Sequence, residues 1–283
     1  MRQSYRSGNA QGQLVPLNHY EWRFLRGAPF MLLAIINAGC SMRTEGYIDN
    51  DGIQIHYIRI SQSESGGMAV VFIPGMLESA ETYAPHFETT SISDVILVSL
   101  RGRGKSDAPE RGYSFQEQLS DVFAVIRQLE LQRCVLIGYS VGAAFAIAAA
   151  LSFPEQVCGL GIIDYPPHYP AIPESWIEEI TRPGRPFFPL HVAQAIAAEG
   201  ERVVLSRELA EIRCPVLVVK GALEGSLLPA EIAQLYRERI PDCTMLVLEG
   251  IAHDPFSSPV FMPALVRFVE VAAGPSDRLA HQR

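Results

Sequence analysis

The stretch that decides the fold runs from Cys134 to Leu151 and reads CVLIGYSVGAAFAIAAAL. Its opening residues are aliphatic without polar alternation, which is typical of a strand buried on both faces of a parallel sheet. Its second half consists mostly of small apolar residues and predicts a helix. Gly138, Ser140 and Gly142 therefore lie where a buried strand turns into a helix, in the pattern G-x-S-x-G.

A serine in such a turn is suited to nucleophilic catalysis. The sharp turn holds the hydroxyl of Ser140 clear of the backbone, with the N-terminus of the following helix behind it. Gly138 and Gly142 lack the Cβ atoms that would otherwise clash there. We therefore predict Ser140 as a catalytic nucleophile.

The rest of the chain predicts an α/β fold with a mostly parallel, doubly wound sheet. Short apolar runs that indicate buried strands occupy residues 69–73, 95–100, 134–137, 158–163, 216–219 and 245–248. Segments with helical periodicity alternate with them at residues 115–129, 141–151, 230–240 and 260–271. Asp51-Gly52 between alternating apolar residues predicts a hairpin before the first of these strands. In such a sheet, ligands bind at the carboxyl ends of the strands.

A proline-rich segment at residues 165–212 is about twice as long as an ordinary connection and predicts a short lid over the site. We expect its aromatic side chains to contact substrate or to pack the lid itself. The candidate substrate-binding residues are Tyr165, Tyr169 and Trp176 in the lid, and Tyr139 beside the nucleophile.

A serine nucleophile needs a general base and a carboxylate that orients it. His253 follows the last predicted strand and is the candidate base. Glu224 follows the strand at 216–219 and gives the chain order serine, acid, histidine that this arrangement uses. Asp164, at the end of the strand at 158–163, is the alternative acid, because that order does not exclude it. The sequence favours Glu224.

Two backbone amides are needed to stabilise a developing oxyanion. We expect one from Val141, the residue after the nucleophile. The second is expected from Met76, in the loop Pro74-Gly75-Met76, where Gly75 permits a close approach. The nearby run from Leu100 to Ser106 lacks the spacing of a phosphate-binding loop and is interpreted as structural.

The net charge of −8 makes nucleic acid an improbable partner, and a small-molecule substrate is expected instead. The number of cysteines is odd, and four of the five lie in or beside predicted strands, which indicates reduced thiols; no spacing suggests a metal site. Neither a metal nor an organic cofactor is expected. The sequence leaves the oligomeric state open.

The first 41 residues are interpreted as a leader or a poorly ordered extension that precedes a domain at residues 42–283. The apolar run 28–38 is too short to span a bilayer, so stable membrane insertion is not expected. Its length and the Gly39-Cys40-Ser41 that follows also fit an export or lipoprotein signal. The favoured interpretation is that Met42 is the true start and the upstream residues are a translated leader. A cytoplasmic location is the default expectation, with export or lipid anchoring if residues 1–40 form a signal.

Taken together, these motifs resemble the α/β-hydrolase superfamily, in particular its esterase, haloperoxidase-like and C–C hydrolase branch, across residues 46–272. The resemblance rests on residues 73–75, 101–106, the turn around Ser140, residues 214–221 and residues 250–253. It implies a triad of Ser140, Glu224 and His253, with an oxyanion hole from Met76 and Val141. Three features depart from the family: Pro74 stands where histidine is usual, Glu224 replaces aspartate, and the lid is shorter than the common four-helix cap.

The expected activity is hydrolysis of a carboxylic ester or lactone through an acyl-enzyme on Ser140. The same triad could serve a C–C bond hydrolase, an amidase or aminopeptidase, or a perhydrolase. From a different class, the chain could be a ligand receptor that keeps the fold and turns over slowly. Serine at the nucleophile position argues against haloalkane dehalogenase and epoxide hydrolase activities, because both use aspartate there.

Overall fold

The fold is known from a computed structural model that describes residues 41–62, 68–182 and 188–274. Its strands are β1 (Met42–Asn50), β2 (Ile53–Ser61), β3 (Ala69–Ile73), β4 (Asp94–Val98), β5 (Cys134–Tyr139), β6 (Val157–Ile163), β7 (His168–Tyr169), β8 (Val203–Val204), β9 (Val216–Gly221) and β10 (Cys243–Leu248). Eight of them form one sheet in the order β1-β2-β4-β3-β5-β6-β9-β10. β2 pairs antiparallel with β1 and β4, and the remaining pairs are parallel. The predicted α/β architecture is confirmed.

Helices cover both faces of this sheet. They are α1 (Ala80–Phe87), α2 (Phe115–Gln128), α3 (Gly142–Ser152), α4 (Glu174–Ile180), α5 (Leu190–Glu199), α6 (Ala230–Arg239) and α7 (Phe261–Ala273). Alternate residues of one strand face opposite layers: Val71 packs in the core with α2 and α3, and Phe72 packs in the core with α1 and α7. Because both faces of the central strands β3, β4, β5, β6 and β9 are buried, these strands are largely apolar, which is why the sequence showed continuous runs there.

The sequence analysis did not predict α1, nor the two lid helices α4 and α5. α1 connects β3 to β4, is only eight residues long and contains Pro85. A short segment with an internal proline gives little helical signal. It buries Tyr83 and Phe87 against the sheet and follows directly on the loop that was predicted to supply an oxyanion donor.

The predicted lid lies between β6 and β9. Its described part contains the small β7–β8 sheet, α4, α5 and a 3₁₀ helix at Glu208–Glu211. The start of the lid is anchored in the core, because Tyr169 is fully buried and packs against Phe115 and Phe145.

The N-terminal interpretation concerns residues that the structure does not describe. Residues 1–40 are outside the described part, and β1 begins at Met42. Within the described residues, every helix is too short or too polar to cross a lipid bilayer.

The loop after β4 carries the most deeply buried ion pair that the structure describes. The Arg101 guanidinium donates to both carboxylate oxygens of Asp121, and the two side chains are 5% and 0% exposed. Asp121 also accepts from the side chain of Asn50 and from the backbone amide of Arg101. The pair joins the loop to α2, which agrees with a structural role for this part of the Leu100–Ser106 run.

Replacing Arg101 tests that structural role. Arg101→Met leaves the Asp121 carboxylate buried without its cation, and we expect a loss of about 3 kcal/mol in the free energy of unfolding. Arg43→Met is the matched control, because Arg43 forms an exposed pair with Glu88 and should cost less than about 1 kcal/mol. Urea unfolding followed by circular dichroism measures both, and equal costs would contradict the assignment.

Candidate active site

Ser140 occupies a strained turn between β5 and α3. Its φ of +53° lies in the left-handed region, which non-glycine residues seldom adopt. A Cβ on Gly142 would lie 2.3 Å from the carbonyl oxygen of Ile73, and one on Gly138 would lie 2.4 Å from the Cα of Ala143. Both glycines are thus required by close backbone contacts. Backbone strain of this kind is often found at functional sites.

The structure brings Asp164, not Glu224, to His253. Asp164 Oδ2 lies 2.8 Å from His253 Nδ1. Glu224 is exposed and makes no hydrogen bond or ion pair with any described residue. The sequence preference for Glu224 is therefore wrong about which carboxylate contacts the histidine, and the alternative, Asp164, occupies that position.

The backbone around Gly221 explains this correction. A Cβ on Gly221 would lie 1.8 Å from the carbonyl oxygen of Ala252, so the loop that carries His253 crosses directly over the end of β9. The following loop is bent outward, with its Leu223 amide bonded to the carbonyl of Ile251, and Glu224 lies on its exposed outer side. The histidine thus reaches past β9 to the end of β6.

Four hydrogen bonds hold the Asp164 carboxylate. Besides the histidine, Oδ1 accepts from the amide of Gly221 at 3.1 Å and from the hydroxyl of Ser226 at 2.5 Å, and Oδ2 accepts from the amide of Leu227 at 3.0 Å. Burial favours the neutral acid, but these hydrogen bonds outweigh it and lower the pKa of Asp164 below its ordinary value. The group is therefore a carboxylate at neutral pH and is fixed in orientation.

Tyr139 links the serine turn to the histidine loop. Its hydroxyl donates to the carbonyl oxygen of His253 at 2.9 Å, and its ring stacks on the imidazole with 5.1 Å between centroids. Tyr139 is 6% exposed. It was predicted to contact substrate, but the structure places it as a buried support between Ser140 and His253.

The two predicted oxyanion donors are unengaged. Neither the Met76 amide nor the Val141 amide donates a hydrogen bond to any residue in the described ranges. Gly75 lies close to the nucleophile, because a Cβ placed on it would be 3.2 Å from Ser140 Cβ. Both amides belong to segments that meet at Ser140, so they remain candidates for an oxyanion hole.

Two charged residues beside this loop were missed by the sequence analysis as site residues. Glu78 Oε2 accepts from the amide of Gly75 at 3.0 Å, and Arg103 Nε donates to the carbonyl oxygen of Met76 at 2.9 Å. For the contact between Glu78 and Gly75, the only sequence signal is that Glu78 follows Gly75 by three residues in the run Pro74-Gly75-Met76-Leu77-Glu78. The second joins segments 27 residues apart, which no local pattern reveals.

The three remaining residues predicted to contact substrate lie in different surroundings. Tyr169 is fully buried in the core and has no exposed surface for a ligand, so that expectation is wrong. Trp176 lies on α4, is half-buried and packs edge-on against Phe188. Tyr165 lines an open cavity of about 470 Å³ together with His168, Arg202 and Leu227, and neither Asp164 nor His253 lines it.

The chain has recognisable relatives. Residues 70–266 match the model of the alpha/beta hydrolase family. The chain is similar to the 2-(acetamidomethylene)succinate hydrolase of Mesorhizobium japonicum, with 26% identity covering 77% of this chain and 94% of the relative. It is also similar to the N-formylmaleamate deformylase of Pseudomonas putida, with 25% identity over 74% of this chain and 89% of the relative. An esterase structure from Exiguobacterium antarcticum shares the fold, with a TM-score of 0.67 and 22% identity over 79% of this chain and 98% of that one.

The two carboxylates can be separated by mutation. If Asp164 orients His253, Asp164→Asn should reduce kcat roughly 10³-fold or more, because the amide favours the wrong imidazole tautomer. Glu224→Gln should stay within about twofold of the unmutated protein, as expected for an exposed loop charge. Initial rates on a p-nitrophenyl ester measure both variants. A large loss in Glu224→Gln with an active Asp164→Asn would reverse the assignment.

Proposed function

Because the chain belongs to the alpha/beta hydrolase family, we propose that it is a serine hydrolase that cleaves a carboxylic ester or lactone through an acyl-enzyme on Ser140. The observation that carries this proposal is the 2.8 Å hydrogen bond between His253 Nδ1 and the buried Asp164 carboxylate, beside a serine on a strained turn. A serine on such a turn and an imidazole oriented by a carboxylate are the groups used for acyl transfer.

In the first half of the reaction, His253 acts as general base. Nδ1–H is donated to Asp164, so the lone pair of Nε2 is available to take the proton of the Ser140 hydroxyl. The serine oxygen attacks the substrate carbonyl, and the imidazolium then gives the proton to the leaving alkoxide. The Asp164 carboxylate stabilises the imidazolium while it is charged.

The negative charge on the carbonyl oxygen is stabilised by the amides of Met76 and Val141. Both donors are unengaged within the described residues, so no protein hydrogen bond has to break when the oxyanion forms. In the second half of the reaction, His253 deprotonates a water molecule that attacks the acyl-enzyme. The acid product leaves and Ser140 regains its proton.

Amide cleavage is a second candidate for the same site. Two relatives that this chain covers for most of their length are named as a hydrolase of 2-(acetamidomethylene)succinate and as a deformylase of N-formylmaleamate. Both names denote substrates with an acylated nitrogen. An amide needs more help than an ester, because its amine leaving group must be protonated as it departs. The same histidine can supply that proton.

Covalent labelling tests the nucleophile. A fluorophosphonate probe should label the unmutated protein and should not label Ser140→Ala, because the probe reacts with an activated serine. Mass spectrometry of the labelled peptide locates the adduct. Ser257→Ala is a matched control, since Ser257 is exposed and bonds only to the carbonyl of Asp254. An unmutated protein without adduct would refute the serine mechanism.

A substrate panel separates ester, lactone and amide cleavage. We expect repeated turnover on short p-nitrophenyl esters, with kcat/KM for the best ester or lactone at least tenfold above that for the matching anilide or N-formyl amide. Steady-state rates and product counts per enzyme molecule measure this. A higher kcat/KM on the amides would favour the second candidate. A single slow turnover on every compound would favour a ligand receptor.

A further inference from the structure

Charged side chains form hydrogen bonds with the backbone on either side of the Gly75–Met76 peptide. On one side, the amide of Gly75 donates to Glu78 Oε2 at 3.0 Å. On the other, the carbonyl of Met76 accepts from Arg103 Nε at 2.9 Å. The carbonyl of Gly75 accepts from the amide of Glu78 at 3.4 Å. The Met76 amide between these contacts remains unengaged in the described structure.

Arg103 is an unusual residue to find in this position. It is 3% exposed, and no carboxylate within the described residues pairs with it. Its other contacts are the carbonyl of Arg101 at 2.7 Å and the sulfur of Met76 at 3.5 Å. Burial lowers the pKa of Arg103, so a cost attends keeping the charge there. A buried guanidinium that only bonds to backbone and sulfur does not act as half of an ion pair.

Arg101, two residues earlier, provides the comparison. Its guanidinium meets the Asp121 carboxylate and connects the loop to α2. Arg103 instead directs two of its nitrogens to one residue, Met76. The two arginines therefore make different contacts. Arg101 connects the loop to α2, and Arg103 binds the segment beside Ser140.

Glu78 completes the clamp. A Cβ placed on Gly75 would lie 2.5 Å from Glu78 Oε2 and 3.2 Å from Ser140 Cβ. The Glu78 carboxylate and Ser140 therefore lie on the same side of Gly75. Burial and the nearby negative charge of Glu78 raise the pKa of Tyr83. The Glu78 carboxylate therefore lies near Tyr83 of α1 as well as at the Gly75 amide.

We propose that Arg103 and Glu78 are positioning residues that fix the Met76 amide toward the oxyanion formed at Ser140. The inference rests on the proposed serine hydrolase function and names a role for two residues of that site. The loop begins with Pro74, which has no amide hydrogen, so the backbone amides that can hold the loop are those of the residues after it. Charge-assisted hydrogen bonds to the flanking peptide groups supply it. Neither residue touches the substrate.

The test for Arg103 compares catalysis with stability. Arg103→Met fills the same buried space and cannot donate a hydrogen bond. We expect kcat on a p-nitrophenyl ester to fall roughly 10- to 100-fold, with KM changed less than about threefold, because the lost donor acts on the transition state. The inhibition constant of a trifluoromethyl ketone, whose adduct carries an oxyanion, should rise by a similar factor. The urea midpoint should change little, because removal of the buried charge relieves a desolvation cost while the carbonyls of Met76 and Arg101 lose their donor.

Lys105→Met is the matched control for Arg103→Met. Lys105 belongs to the same loop, is exposed and pairs with Glu45. Its replacement should leave kcat and the ketone inhibition constant within about twofold. An Arg103→Met protein with unchanged kcat and unchanged ketone inhibition would overturn the proposal. So would a loss of activity that only follows a loss of folded protein.

A pair of Glu78 variants provides a test that does not depend on the arginine. Glu78→Gln keeps an oxygen that can accept from the Gly75 amide, and Glu78→Ala removes it. We expect kcat within about threefold of the unmutated value for the first and at least about tenfold lower for the second. Equal kcat values in the two variants would contradict the positioning role.

Labelling of the unmutated protein keeps the two proposals distinct. If the fluorophosphonate probe reacts with Ser140 and the ester is hydrolysed, but the Arg103 and Glu78 variants keep full kcat, only the positioning role fails. If the unmutated protein is neither labelled nor active, the serine hydrolase function fails, and the positioning role fails with it.

Discussion

The carboxylate of Asp164 joins three strand ends of the sheet. It sits at the end of β6, accepts hydrogen bonds from the end of β9 and from the loop that follows, and binds His253 on the loop after β10. A buried charge is tolerated only when hydrogen bonds compensate for lost hydration. Here the compensating donors are also the parts that must be aligned. The same hydrogen bonds therefore stabilise the carboxylate and fix the geometry of the candidate site.

Close backbone packing extends this arrangement to the serine. The amide of Ser140 donates to the carbonyl of Ile163, the residue before Asp164, so the turn and the acid lie on adjacent strand ends. Gly142 allows the start of α3 to approach the end of β3, from which the loop with Met76 departs. The proposed nucleophile, acid and oxyanion loop thus lie at one edge of the sheet. Preorganisation of this kind lowers the reorganisation needed during acyl transfer.

Three charged side chains near the carboxyl edge of the sheet make different kinds of contact. Arg101 pairs with Asp121, whereas Arg103 pairs with no carboxylate among the described residues and donates to the carbonyl of Met76. Glu78 accepts from the amide of Gly75, so the peptide groups before and after the Gly75–Met76 peptide are each held by a charge-assisted hydrogen bond. In the family that the sequence resembles, histidine is usual at the position of Pro74. The proline agrees with a loop that is held by other contacts.

The sequence by itself determined the alternation of strands and helices, the serine turn and the loops that reach the carboxyl edge. These follow from local signals: apolar runs, the G-x-S-x-G spacing and glycines at close contacts. It favoured Glu224 over Asp164 and was wrong, because both follow strands and both satisfy the chain order, so no local signal separates them. Only the tertiary structure decided, since the loop after β10 crosses Gly221 closely enough to exclude a side chain there and reaches β6 instead. The contacts of Arg103 and the burial of Tyr169 likewise depend on segments far apart in the chain, which local periodicity does not encode.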